Sequence, residues 1–268
     1  MTSTLPGTQT ETDARSGVLD RFRLDDKVVI LTGASAGLGV AFARALAEAG
    51  ADLVIGSRRE DKLADTARMI HALGRTAVPV RCDVRKPEDC AALIDAAMSE
   101  FGKVDVLVNN AGVGAAIAAT REEPEHFKWL IETNLEAPYW CAQSFARVAQ
   151  PGSSIINVSS TLGLRPVRMP QAGYVASKTG LLGLTRDLAV QWTARKGIRV
   201  NALAPGYFPS DMSDKMGPRE RALVDDGTLF GRFGRIEELT PALIFLASDA
   251  SSYITGTTIA VDGGLSLH

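Results

Sequence analysis

Val28-Val29-Ile30-Leu31-Thr32-Gly33-Ala34-Ser35-Ala36-Gly37-Leu38-Gly39 holds an apolar run, a glycine-rich turn and the opening of a helix. Val28 to Leu31 are continuous, apolar and mostly β-branched, the pattern of a strand buried on both faces. Gly33, Gly37 and Gly39 follow where the chain must reverse, and Leu38–Gly50 reads as a helix closed by Gly50. Glycine lets a phosphate approach the backbone. The helix N-terminus then offers free N–H groups and a positive dipole end. In this strand–turn–helix setting Gly33, Ser35, Ala36, Gly37, Leu38 and Gly39 are candidates to bind a dinucleotide. A plain glycine turn is the alternative.

The same alternation continues along the chain. Lys27–Thr32, Asp52–Gly56, Ala77–Cys82, Val104–Val108, Ser154–Ser159, Ile198–Leu203 and Thr257–Val261 read as strands. Asp61–Leu73, Pro87–Phe101, Pro124–Ala149 with a break at Pro138, Ala172–Arg195 and Glu237–Ser248 read as helices. Near-continuous apolar strands between helices predict a parallel sheet covered on both faces, in a single α/β domain spanning residues 25–268. A length of 268 residues with 46% hydrophobic content suits one large domain with a sizeable core. Gly206–Gly234 is the longest irregular stretch, and loops of that length are usually functional.

A net charge of −2, without a basic stripe, excludes a nucleic-acid partner, and no apolar run reaches membrane-spanning length. Cys82, Cys90 and Cys141 lack metal-ligand spacing and read as buried thiols of a reducing, cytoplasmic compartment. His71, His126 and His268 are equally scattered, so no metal site is expected. Met1–Ser16 is polar and aperiodic, without the charged start and apolar core of a signal peptide. Residues 1–24 are expected as a flexible N-terminal tail, with order beginning near Phe22–Asp26.

The second strand ends at Gly56-Ser57-Arg58-Arg59. A carboxylate there would bind the ribose hydroxyls of NAD, whereas arginine accommodates the 2′-phosphate of NADP. Ser57, Arg58 and Arg59 therefore predict a preference for NADP(H), with NAD(H) left open by the nearby Glu60 and Asp61.

Tyr174 and Lys178 are four residues apart, on one face of a helix. A cation beside a phenol lowers its pKa from the ordinary value of about 10, producing a proton-transfer group tuned toward working pH. Tyr139, Tyr207 and Tyr253 are followed at that spacing by Gln143, Asp211 and Thr257, so only Tyr174 has a lysine.

Thr32–Gly39, Asp83-Val84, Asn109-Asn110-Ala111-Gly112, Asn134, Ser159-Ser160, Tyr174–Lys178, Pro205-Gly206 and Asp262-Gly263-Gly264 occur in one order and at related spacings. With these motifs the chain resembles the short-chain dehydrogenase/reductases from about Leu24 to Leu265. The resemblance implies a doubly wound Rossmann fold with a seven-stranded parallel sheet, in a homotetramer. It also implies roles. Tyr174 would be the catalytic acid/base. Lys178 would hold the nicotinamide ribose and depress the tyrosine pKa. Ser160, with Ser159 as the alternative, would hydrogen-bond the substrate oxygen. Asn134 would anchor a water joining Lys178 to solvent. Asp83 beside Val84 would face the adenine amine, and Asn109 the adenine ribose, with Ala111 and Gly112 following. The backbone of Pro205, Gly206 and Phe208 would contact the nicotinamide amide.

Two positions depart from the family pattern. Ser160 precedes Tyr174 by fourteen residues, one more than is common, and the extra residue falls in Arg165–Gln171. Ser210 stands where relatives often carry threonine. The expected activity is NADP(H)-dependent interconversion of a ketone and a secondary alcohol, on a small-molecule substrate. An NAD-dependent sugar or polyol dehydrogenase and a non-catalytic dinucleotide-binding scaffold are the alternatives. The intact set Asn134, Ser160, Tyr174 and Lys178 argues against the scaffold. Pro205-Gly206-Tyr207-Phe208 resembles gluconate 5-dehydrogenase-like members, and 3-oxoacyl thioester reduction is equally open. Specificity is expected in Ala115–Arg121, Arg165–Gln171 and Gly206–Phe233.

Overall fold

A computed structural model describes residues 17–209 and 217–267, so Ser210 lies outside the described residues, as do residues 1–16 and His268. The first half alternates β1 (Val28–Thr32), α1 (Gly37–Glu48), β2 (Asp52–Ser57), α2 (Glu60–Ala72), β3 (Ala77–Arg81) and α3 (Pro87–Phe101). The second runs through β4 (Val106–Asn109), α4 (Pro124–Ile131), α5 (Ala137–Val148), β5 (Ser154–Val158) and α6 (Ala172–Lys196), then β6 (Arg199–Pro205), α7 (Pro218–Gly227), α8 (Ile236–Ala247) and β7 (Thr258–Val261).

Seven parallel strands form one sheet in the order β3-β2-β1-β4-β5-β6-β7. Side chains of a strand alternate between faces, and β1 shows the consequence. Val29 and Leu31 join a core with Phe42 and Leu46 of α1, Ile70 of α2 and Leu243 of α8. Val28 and Ile30 join the opposite core with Leu93 of α3, Phe145 of α5 and Leu188 of α6. Both faces are thus apolar and covered, which is why the strands read as unbroken hydrophobic runs. β1 pairs with β2 on one side and β4 on the other. The chain reverses its winding there, and a crevice opens beyond the carboxyl ends of the strands.

Three sequence expectations change in detail. Part of the stretch expected as a tail is folded: Val18–Phe22 forms a 3-10 turn, the Phe22 ring lies 6.0 Å from that of Phe245 in α8, and Leu24 is fully buried. The break in Pro124–Ala149 falls at Glu132–Glu136, a single π turn, and not at Pro138. Pro138 instead occupies the first turn of α5, where no N–H is needed. Gly206–Gly234 contains α7, whose charged residues mask any apolar period. Its described contacts include a buried Val224, and Gly227 lies beneath Leu265. No helix among the described residues is long and apolar enough to cross a membrane.

Candidate active site

The crevice is a cleft of about 830 Å³. Its floor begins at the glycine turn after β1. Gly33 has φ +72°, and a Cβ there would fall 2.8 Å from the Ala111 Cα; at Gly39 a Cβ would fall 2.1 Å from the Gly33 carbonyl oxygen. Only glycine fits either position, so the turn brings bare backbone to the cleft. Ser35, Ala36, Gly37 and Leu38 continue this wall, and no side chain caps the start of α1. An anion approaching there meets N–H groups at the positive end of the helix.

The β2 end supplies the polar corner. Ser57 donates to Ser35 Oγ at 2.6 Å, while Arg59 Nε and Nη2 donate to the same oxygen at 3.2 and 3.1 Å. The Arg59 N–H donates to Ser57 Oγ at 3.1 Å, and Arg58 is exposed on the cleft wall beside them. Two hydroxyls and two guanidiniums converge here, a donor set that fits a phosphate monoester.

After β3, Asp83 and Val84 also line the cleft. Arg85, which no sequence motif signals, forks onto both carboxylate oxygens of Asp83, its Nε at 2.9 Å from Oδ1. That hydrogen-bonded ion pair holds the Asp83 carboxyl down at about 2. Cys82 lines the cleft as well. Burial pushes its thiol up to about 12, so it stays protonated. All three cysteines are free and buried, and no group of potential metal ligands occurs among the described residues.

At the end of β4 the two asparagines point opposite ways. Asn109 does not line the main cleft. Its side chain is turned into the protein, where Nδ2 donates to Asn157 Oδ1 at 2.9 Å and to the Pro138 carbonyl at 3.2 Å. Strand alternation sends its neighbour the other way. Asn110 lines the cleft and donates to the Thr32 carbonyl at 2.9 Å, tying β4 to the glycine turn. Ala111 and Gly112 follow along the wall.

Ser160, Tyr174 and Lys178 meet at the other end of the cleft. β5 delivers Ser160, whose hydroxyl accepts the Leu162 N–H at 3.1 Å and hydrogen-bonds Tyr174. Ser159 gives its hydroxyl to the Lys178 carbonyl at 2.9 Å, so it fastens β5 to α6. The helical spacing of Tyr174 and Lys178 holds, with Nζ 5.9 Å from the phenol ring centroid. Nζ donates to the Val158 carbonyl at 2.9 Å. Lys178 is 4% exposed, and burial lowers its pKa to about 8.

Burial works against the expected lowering of the Tyr174 pKa. Burial pushes the Tyr174 phenol above its ordinary value, and only the hydrogen bond from Ser160 opposes that rise. The ammonium donates to a carbonyl and is itself desolvated, which weakens its hold on the proton.

Asn134 is fully buried on the π turn before α5 and does not itself line the cleft. Its Oδ1 accepts the Val113 N–H at 2.9 Å, and its Nδ2 donates to the Val113 carbonyl at 2.9 Å and to Ser177 Oγ at 3.1 Å. A Cβ at Gly112 would lie 3.3 Å from Lys178 Nζ and 3.4 Å from Asn134 Oδ1, so all three share one corner. Pro205, Gly206 and Phe208 close the cleft from β6. From the expected specificity segments, Ala115, Ala116, Met169, Gln171 and Tyr207 line it; Trp129 and Thr133 of the α4 side are further wall residues without a sequence motif.

Comparison with known proteins agrees with this geometry. Residues 33–266 match the family model described as enoyl-(acyl carrier protein) reductase. The chain is 38% identical over 253 residues to the 2-dehydro-3-deoxy-D-gluconate 5-dehydrogenase of Escherichia coli (strain K12), covering 92% of this chain and 98% of that one. It is 41% identical over 242 residues to the cis-4-hydroxycyclohexanecarboxylate dehydrogenase of Sinomonas cyclohexanicum, covering 89% and 96%. The crystal structure of a gluconate 5-dehydrogenase from Burkholderia cenocepacia J2315, in complex with NADP and tartrate, superposes with a TM-score of 0.87 at 36% identity, covering 94% of this chain and all of that one. With the seven-stranded sheet and this extent of similarity, the chain belongs to the short-chain dehydrogenase/reductase family, enzymes that act on alcohol and ketone groups.

Proposed function

We propose that this protein is an NADP(H)-dependent oxidoreductase that interconverts a ketone and a secondary alcohol, with Tyr174 as its acid/base. One observation carries the reading: Ser160, Tyr174 and Lys178 stand at one end of a single cleft whose other end holds Ser35, Ser57, Arg58 and Arg59. The glycine cradle and this donor set fit a dinucleotide bearing a 2′-phosphate. When bound, the nicotinamide group supplies or accepts the hydride. Ser160 and Tyr174 donate hydrogen bonds to the substrate oxygen as negative charge develops on it. Tyr174 transfers its proton to that oxygen in reduction and takes it back in oxidation. Lys178 holds the cofactor's ribose, and a positive charge there favours the tyrosinate. Asn134 steadies the corner through Val113 and Ser177.

The same reading includes a homotetramer in the cytoplasm. Val190 of α6, Tyr253 and Leu267 are 80%, 102% and 76% exposed, apolar side chains available to a contact between copies. The gluconate-type relatives and the Tyr207-Phe208 pair favour oxygen-rich substrates, and an NAD-dependent sugar or polyol dehydrogenase is the second reading. Measuring kcat/KM with NADP(H) and NAD(H) separates the two. NADP(H) is expected to be preferred, and Arg58→Ala should weaken NADP binding by roughly 1–3 kcal/mol, the scale of a charge-assisted hydrogen bond. Equal or better use of NAD(H) would refute the preference.

A further inference from the structure

Among the described residues, the charged side chains lining the cleft are Arg58, Arg59, Asp83, Arg85 and Lys178. The first four follow β2 and β3, at the end that fits the phosphate. The Lys178 ammonium is held by the Val158 carbonyl at 2.9 Å. The Tyr174 end is built differently, and fixed contacts place its walls. Both backbone groups of Val113 bond the Asn134 amide at 2.9 Å. The Leu162 N–H donates to Ser160 Oγ at 3.1 Å. A bridge between Ile117 and Gln171 sets the segment of Ala115 and Ala116 beside the one that carries Met169, just ahead of α6. Leu130 of α4 comes within 2.8 Å of where a Cβ at Gly173 would lie, next to Tyr174, and so brings its neighbour Trp129 to this end. Val113, Ala115, Ala116, Trp129, Leu162 and Met169 all line the cleft. The arginines described in neighbouring segments are not part of that lining. Arg121, Arg165 and Arg168 are exposed, Arg221 lies over the Phe233 ring at 5.5 Å, and Arg232 forks onto Glu238 at 2.8 and 2.9 Å. The ionisable group packed on Gly173 is acidic: Glu122 Oε1 lies 3.0 Å from the same Cβ position and 2.9 Å from His126 Nδ1. An anionic substituent entering here would leave water for apolar side chains, with no described cation to receive it and a carboxyl group nearby. Burying an unpaired charge costs far more than burying a neutral polar group.

We infer that the preferred substrates are uncharged, largely hydrocarbon secondary alcohols and their ketones, and that a carboxylate on the substrate is selected against. This rests on the ketone–alcohol reading above and names its substrate class, in opposition to the oxygen-rich one. Trp129, Leu162 and Met169 are then specificity-determining side chains, because a hydrocarbon frame set against them is removed from water. A pocket made for a carboxylate would instead present a fork of donors, as arginine does.

The test measures kcat/KM with NADP for matched pairs in which a methyl group faces a carboxylate: cis-4-methylcyclohexanol with cis-4-hydroxycyclohexanecarboxylate, and 2-octanol with 7-hydroxyoctanoate. D-Gluconate and D-sorbitol stand for the oxygen-rich class. The full-length wild type should favour the methyl member of a pair by at least about a hundredfold, and should use gluconate and sorbitol less well than either methyl member. Met169→Arg supplies a cation and should narrow the ratio within a pair by at least about tenfold. Trp129→Ala should lower kcat/KM on the methyl members by about tenfold or more, mainly through KM. Its NADPH affinity should stay within about twofold of wild type, which shows that the variant is folded. Equal or better use of a carboxylate member, gluconate or sorbitol overturns the inference, as does a ratio unmoved by Met169→Arg, and either result leaves the ketone–alcohol reading standing. No oxidation of any of these compounds with NADP or NAD sinks that reading, and this inference with it.

Discussion

Lys178 is the residue whose surroundings matter most for its chemistry. Its amine is buried, bonded to the Val158 carbonyl and lowered to about 8 from an ordinary 10.5. The folded state therefore disfavours the protonated form. Between pH 8 and 10.5 the unfolded chain binds the extra proton, so stability rises with pH there. The penalty is fully present below pH 8 and gone above 10.5. Lys178→Met should accordingly stabilise the cofactor-free protein at pH 7, by on the order of 3 kcal/mol if the whole shift is recovered. That advantage should fade toward pH 10.5, and thermal unfolding across this range checks it; a gain independent of pH would contradict the linkage. Tyr174 answers to the same burial in the opposite direction, since its charged form is the anion. Tyr174→Phe should keep the fold and cofactor binding yet lose roughly 10²–10⁴-fold in kcat. Near-normal turnover on an identified substrate would remove Tyr174 from the acid/base role.

Among the elements, the π turn Glu132–Glu136 has the clearest task. One wide turn between α4 and α5 carries Thr133 and Asn134 into the interior, where Asn134 bonds both backbone groups of Val113 and the Ser177 hydroxyl of α6. It thereby ties the loop after β4 to the helix that bears Tyr174 and Lys178. Asn134→Ala leaves those partners unpaired and should cost roughly 1–3 kcal/mol, a fall of several degrees in Tm, together with a loss of kcat. Lost activity at an unchanged Tm would confine Asn134 to a chemical role. The glycine turn is constrained at the same scale. Gly33 and Gly39 touch Ala111 and each other so closely that neither admits a side chain.

For the whole molecule the sheet order sets where a ligand can lie, because β1 and β4 part at the switch point and much of the cleft is lined by strand ends and the loops that follow them. Assembly is read at this scale too. Gly180 and Gly183 are small residues on α6, but a Cβ at Gly180 would meet Leu135 of the same chain at 3.0 Å, and Leu181 and Leu182 are buried within it. Gly183 faces open space. The exposed Val190 and Tyr253 now carry the expectation of an interface. Light scattering at micromolar concentration should give a multiple of the 28.5 kDa chain mass, and a monomer mass would contradict it.

The seven strands, the glycine turn and the Tyr174–Lys178 pairing were legible in the amino-acid order, because each rests on residues near one another in the chain: a period of two or 3.6, a positive φ, a single helical turn. The tertiary structure alone decided that Asn110 and not Asn109 faces the cleft, that Arg85 closes on Asp83, and that α7 forms in the stretch read as a loop. It also decided that burial pushes Lys178 and Tyr174 each toward its neutral form. Those outcomes depend on burial and on partners from other strands and helices. No local pattern encodes which distant groups will remove water from a side chain, or which will satisfy its hydrogen bonds.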